Sequence, residues 1–168
     1  MISSGREVAD RFLTMPVIVV GADTPTGEAI VTSLLSRGGE IRAFVTNAAG
    51  GAALRAQGAK VAVGDLSDGS HVAAAAHRAF TAVLVEASAE DGRPYAFAAS
   101  ATGVLTTWVD ALREASVQRA IWVGDPPPSL IAGSAQEVTV VVPAGRADGD
   151  VAREVADLND CEKLIPET

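Results

Sequence analysis

Cysteine occurs once in this 168-residue chain, at Cys161, which excludes an internal disulfide and any cysteine-cluster metal site. Histidine is nearly as scarce. His71 and His77 are spaced wrongly for one helix face, which needs three or four residues, so no metal site is expected. Lysine occurs only at Lys60 and Lys163, and the arginines are scattered without a basic run. With a formal net charge of −8, the chain repels a polyanion, and nucleic acid is excluded as an expected partner. No run of about 18 apolar residues exists, so no membrane span is expected. Residues 1–14 carry Arg6, Glu7, Asp10 and Arg11 and lack the apolar stretch of a signal peptide. The expected compartment is therefore the cytoplasm, with residues 1–14 a flexible extension and Met15 an alternative start.

Aromatic residues make up only 4% of the chain although 48% is hydrophobic. The core must be built from Ala, Val, Leu and Ile, which suits helices packed closely on a sheet covered on both faces. The chain length fits one domain, expected over 15–160, with 161–168 a tail.

Short β-branched runs alternate with helical patterns. Pro16 to Val20 is a continuous apolar run stopped by Gly21, the mark of a buried parallel strand. Gly27 to Arg37 reads as a helix with Ile30, Val31, Leu34 and Leu35 on one stripe and Gly38-Gly39 as its stop. Strands follow at Ile41–Val45 and Lys60–Val63, with a short helix from Ala52 to Gln57 between them. Asp68 caps a helix through Val72 to Phe80, and Ala82–Val85 is the fourth strand. Glu86 to Ala98 reads as a loop, Ser100 to Ala115 as a helix, and Ala120–Val123 as the fifth strand. The Pro126-Pro127-Pro128 stretch, a sixth strand from Glu137 to Val142 and a last helix capped by Asp150 complete the pattern.

This alternation predicts an α/β fold: a doubly wound parallel sheet of Rossmann type, six strands in the order 3-2-1-4-5-6, as a single domain. A flavodoxin-like five-strand sheet with a stray C-terminal piece is the alternative. Between the first strand and the first helix lies Gly21-Ala22-Asp23-Thr24-Pro25-Thr26-Gly27. Backbone N–H groups and the positive end of the helix dipole face an anion there. Gly21 permits the turn, Gly27 lets helix and strand approach, and Thr26 can donate its hydroxyl to a phosphate.

From Val17 to Val85 the chain resembles the NmrA-like, atypical short-chain dehydrogenase family. The resemblance rests on the glycine turn, Arg37 to Val45, Gly58 to Leu66 and Ala82 to Val85, and it continues through Val117 to Val123. It implies that a dinucleotide, NAD or NADP, is the cofactor, with its pyrophosphate in the turn and its adenine beside Asp65. The implied cofactor residues are Gly21, Ala22, Thr24, Pro25, Thr26, Gly27, Thr46, Asn47, Asp65, Leu66 and Ala87.

Three departures bear on that expectation. Thr24 stands where the family has its middle glycine, so a side chain occupies the closest backbone approach. Thr46-Asn47 follows the second strand, where an Arg would pair with an NADP 2′-phosphate or an acid with an NAD ribose. Thr46 and Asn47 can bond to either form, and Arg55 can reach in from the next helix. Glu86, directly after the fourth strand, would bring its charge to the phosphates unless it turns away.

Short-chain dehydrogenases use a Tyr and a Lys one helical turn apart. The single tyrosine here is Tyr95, and Ala99 lies four residues on, so that dyad is absent. Tyr95 with Arg93 can serve as a donor or as plain surface; Ser88 and Ser100 lack a placed His; Asp125 is a ligand residue or a turn cap. Trp108 and Trp122 read as core. The catalytic residues stay unassigned. Three functions follow: a nucleotide sensor or regulator acting through a partner or its own dimer; a minimal NAD(P)H-dependent oxidoreductase with substrate over Glu86–Ala98 and Gly124–Ser134; or a scaffold without ligand. Val104, Trp108 and Leu112 give the helix before the fifth strand an apolar surplus that suggests a homodimer.

Overall fold

A computed structural model describes residues 15–162. The expected extension, 1–14, and the tail beyond Glu162 lie outside the described residues.

Six strands form one sheet in the order β3-β2-β1-β4-β5-β6, and each neighbouring pair is parallel. They are β1 (Val17–Val20), β2 (Ile41–Val45), β3 (Lys60–Val63), β4 (Thr81–Val85), β5 (Arg119–Val123) and β6 (Glu137–Val141). The crossover helices are α1 (Pro25–Ser36), α2 (Ala48–Gln57), α3 (Gly69–Ala75), α4 (Ala87–Glu90), α5 (Ala101–Glu114), α6 (Pro128–Ile131) and α7 (Asp148–Asp160). Because β6 pairs with β5 in full register from Arg119↔Glu137 to Val123↔Val141, the flavodoxin-like alternative is ruled out.

Strand side chains alternate between the two faces, and the core divides accordingly. Ile18, Val20, Phe44, Leu84 and Trp122 pack with α3 and α5 on one face. Val17, Val19, Val83 and Val123 pack with α1, α2 and α7 on the other. Fully burying a Val, Leu or Ile contributes about 1.5–3 kcal/mol, so this two-sided aliphatic core can hold the sheet with few aromatics. Trp108 and Trp122 stack with ring centroids 6.3 Å apart, and Trp108 donates its indole N–H to Leu66 O at 2.7 Å. Val104, Trp108 and Leu112, which suggested a homodimer face, are all buried in the chain's own core. They leave no surplus for a partner on that helix.

Several boundaries differ from the sequence reading, each for a local reason. α2 starts at Ala48, not Ala52, because Asn47 caps it by accepting from Gly50 N at 2.6 Å. Its Gly50-Gly51 pair, a helix breaker by propensity, sits in the first turns because a Cβ at Gly51 would meet Val61 Cγ1 at 2.5 Å. Asp68 does cap α3, but that helix ends at Ala75, before the left-handed Arg78. The Glu86–Ala98 loop contains the helical turn α4, and the proline triplet leads into α6. Asp150 does not cap α7; it lies in the first turn with Asp148, where both carboxylates favour the positive helix end. β6 stops at Val141 rather than Val142.

Arg119 is fully buried in β5. Its Nε donates to Glu137 Oε2 at 2.7 Å, and its Nη1 donates to the carbonyls of Leu158 and Asn159. It thereby ties the C-terminal end of α7 to the sheet.

Candidate functional site

The glycine turn leaves the carboxyl end of β1, at the middle of the sheet. Gly21 has φ +83°, and a Cβ on it would lie 2.4 Å from Ser88 Oγ. A Cβ on Gly27 would lie 2.2 Å from Gly21 O, a backbone atom that cannot swing aside. Both glycines are thus required for the strand, the turn and α1 to fit together.

Thr24 does not stand over the turn as a lone added side chain would. It is 6% exposed and caps α1, donating its hydroxyl to Gly21 O at 2.9 Å and accepting from Gly27 N at 3.0 Å. The Glu28 amide closes on Thr24 O, and Pro25 has no N–H. This leaves the Thr26 amide as the open donor of the first turn. The Thr26 hydroxyl, expected on a phosphate, donates to Asp148 Oδ1 at 2.6 Å. Ala22 and Leu66 are core residues, whereas Pro25, Asn47 and Ala87 are exposed.

Two clefts flank the turn. One, of about 470 Å³, is lined by Asp23, Thr46, Asn47, Gly50 and Arg93 with Asp91 and Gly92. Asp23 Oδ2 accepts from the Thr46 amide at 3.0 Å and its hydroxyl at 2.8 Å. Arg93 Nη1 donates to Asp23 Oδ1 at 2.9 Å and to Thr46 Oγ1 at 3.2 Å. Burial alone would raise the Asp23 pKa. The Thr46 amide, Arg93 and the Thr46 hydroxyl outweigh it and hold the carboxyl below its ordinary value. The cation at the carboxyl end of β2 is thus Arg93, from the loop after β4, and not Arg55. Sequence reasoning missed Asp23 and misplaced Arg93. The available signals were an acid inside the turn and a lone Arg in a Gly-Arg-Pro break.

The other cleft, of about 310 Å³, is lined by Thr26, Val85, Glu86, Ala87, Val123, Asp125 and Pro143, among others. Glu86 lines this cleft together with Thr26, but its carboxylate is tied down: it is 8% exposed and its Oε2 accepts from Asp125 N at 2.6 Å. Burial raises its pKa; the Asp125 amide opposes this, and the charges of Glu90 and Asp125 add to the rise. A Cβ on Gly124 would strike Glu86 Oε2 at 2.1 Å, so that glycine admits the acid.

A strap from Asp91 to Phe97 crosses between the strand ends. Arg93 holds it to Asp23. Tyr95 donates its hydroxyl to Ser88 O. Ala96 N donates to Asp65 Oδ2 at 2.9 Å, and Phe97 N to Ser67 Oγ at 3.0 Å. The other Asp65 oxygen accepts from the Ser67 amide at 2.7 Å. Burial raises the Tyr95 pKa, with the nearby Asp91 adding, to about 12. Ser88 donates to Val85 O and Ser100 caps α5, so neither is a poised nucleophile. His71 and His77 are exposed. No helix among the described residues is long and apolar enough to cross a membrane.

A family profile for NAD(P)H-binding proteins matches residues 21–138. The chain belongs to the NAD(P)H-binding family. A search of curated protein sequences finds no significant match. This NAD(P)H-binding chain shares its fold with the triphenylmethane reductase of Citrobacter sp., at 17% identity and a TM-score of 0.71, covering 88% of this chain and 66% of that one. ChuY, an anaerobillin reductase from Escherichia coli O157:H7, aligns at 16% identity and TM-score 0.60, over 89% and 93% of the two chains. The Escherichia coli quinone oxidoreductase QOR2, crystallised with NADPH, aligns at 17% identity and TM-score 0.53, over 85% of this chain and 45% of its own. The chain therefore spans two thirds or less of two of these neighbours and nearly the whole length of ChuY.

The cleft at Asp23 offers hydrogen-bonding groups and no free cation to a ligand. It holds a partnered carboxylate beside Gly50, where a Cβ would already lie 3.2 Å from Asp23 Cβ. The turn supplies fewer free amides than a three-glycine turn, because Thr24 takes that of Gly27.

Proposed function

We propose that this NAD(P)H-binding protein is a nucleotide-responsive switch, a sensor or regulator, with the Asp91–Phe97 strap as its moving part. One observation carries the reading: the strap is hydrogen-bonded across the strand ends, to Asp23 and Thr46 after β1 and β2 and to Asp65 and Ser67 after β3. A dinucleotide running along the ends of β1 to β3 competes with the strap amides for Asp65 and Ser67, while its ribose adds to Asp23. Binding and strap position are then linked, and Phe97, 66% exposed on the strap, is where a partner would feel the change.

Asp23, Thr46 and Asn47 hold the adenosine ribose, the Thr26 amide and the α1 dipole take the pyrophosphate, and Gly21 and Gly27 keep the turn closed. Asp65 and Ala87 line the base and nicotinamide sides. A bound nicotinamide supplies or accepts hydride. The groups that would move a proton beside it are engaged: Tyr95 on Ser88 O, and Glu86 on the Asp125 amide.

A second reading, a minimal NAD(P)H-dependent reductase, is favoured by the cleft at Glu86. Its Val85, Val123, Val142 and Pro143 walls adjoin Thr26 and would take a small apolar acceptor. Thermal unfolding with each nucleotide, paired with NAD(P)H oxidation assays on quinone and flavin acceptors, separates the readings. The switch predicts a raised midpoint without turnover. Oxidation well above background would replace it with the reductase, and no shift with any nucleotide would leave a ligand-free scaffold.

A further inference from the structure

β2 ends in Thr46-Asn47 with no acid, yet a carboxylate lies against its carboxyl end. Asp23 reaches there from the glycine turn, its side chain only 6% exposed. A carboxylate offers about four lone-pair sites. Three are taken, by the Thr46 amide, the Thr46 hydroxyl and Arg93 Nη1, and one remains on the residue that lines the cleft with Asn47 and Gly50.

Arg93 is no free anion receptor. Asp91 holds its Nε at 2.8 and 2.9 Å and also pairs with its Nη2. Two carboxylates thus already match the one guanidinium, and the cluster of Asp23, Asp91 and Arg93 is net negative. For a phosphate to capture Arg93, the buried Asp23 would have to lose its cation, which is costly out of water.

We propose that Asp23 makes this groove select NAD(H) over NADP(H), its open lone pair accepting from a ribose hydroxyl and its charge, with that of Asp91, rejecting a 2′-phosphate. An acid at the end of the second strand commonly binds the ribose of NAD; here the glycine turn delivers it. The inference rests on the dinucleotide reading above. It also survives movement of the strap, because a displaced Arg93 would leave the acid behind.

Titration calorimetry with NADH and NADPH on the full chain tests it. The wild type should bind NADH at least tenfold more tightly. Asp23→Asn removes the charge and releases Arg93 Nη1, so the ratio should fall to within about threefold or reverse. Arg93→Ala should keep the preference for NADH. Equal or tighter NADPH binding by the wild type, or an unchanged ratio in Asp23→Asn, overturns the selectivity while leaving the dinucleotide site intact. No binding of either nucleotide overturns both. If circular dichroism shows that Asp23→Asn does not fold, the wild-type ratio and Arg93→Ala decide.

Discussion

Arg93 and Asp23 lie 70 positions apart in the chain, yet Arg93 Nη1 is 2.9 Å from Asp23 Oδ1. The contact joins the loop after β4 to the glycine turn after β1, and it fixes one end of the strap above the strands.

Acid should weaken the fold through this contact. The Asp23 carboxyl is held below its ordinary value in the folded chain, so its contribution is fully present above about pH 4, the unfolded value. It is lost as pH falls through the lower folded value. Urea unfolding between pH 6 and 2.5 should show a stability slope in the acid range that Asp23→Asn reduces. A slope identical in the two proteins would contradict the assignment.

Gly27 tests the turn's packing. A Cβ there meets Gly21 O at 2.2 Å, so Gly27→Ala should cost about 1–3 kcal/mol in urea unfolding. Gly38→Ala meets nothing within 4 Å, but its φ of +85° makes it a strain-only control. A Gly27→Ala protein as stable as wild type would mean that α1 can draw back from β1. Gly27 is therefore a poor site for probing ligand binding alone, since a bulky residue disturbs the fold first.

Arg119→Met should destabilise by about 3 kcal/mol, because it strips Glu137 of its cation and the end of α7 of two carbonyl bonds. The same change in Arg153, exposed on α7, should stay within about 0.5 kcal/mol. Equal effects at the two positions would remove Arg119 as the tie.

Tyr95 is the chain's one tyrosine, so phenolate absorbance reads it alone. Burial and its bond to Ser88 O should hold the midpoint near 12 in the folded protein. A midpoint near 10, the free value, would show that the strap is not seated.

The sheet order was legible because β1, β4 and β5 are apolar runs buried on both faces, and the glycine turn because its residues are consecutive. The Asn47 cap of α2 was hidden behind Gly50-Gly51, whose propensity opposes a helix that tertiary contact with Val61 demands. The acid and cation at the end of β2 were visible only as an acid in the turn and a lone Arg in a break, not as a pair. No periodicity links Asp23 to Arg93, and only the crossover topology brings the β4 loop back over β1. Thr24 reads in sequence as an obstruction; in the fold its hydroxyl turns inward and becomes a cap.

Amide hydrogen exchange at Ala96 and Phe97, with and without saturating NADH, reads the strap's two bonds to Asp65 and Ser67. Both amides should exchange faster in the bound protein, as the strap gives up Asp65 and Ser67 to the nucleotide. Unchanged exchange in a sample shown to bind NADH would contradict the proposed switch, because the nucleotide would then occupy the groove without moving the strap.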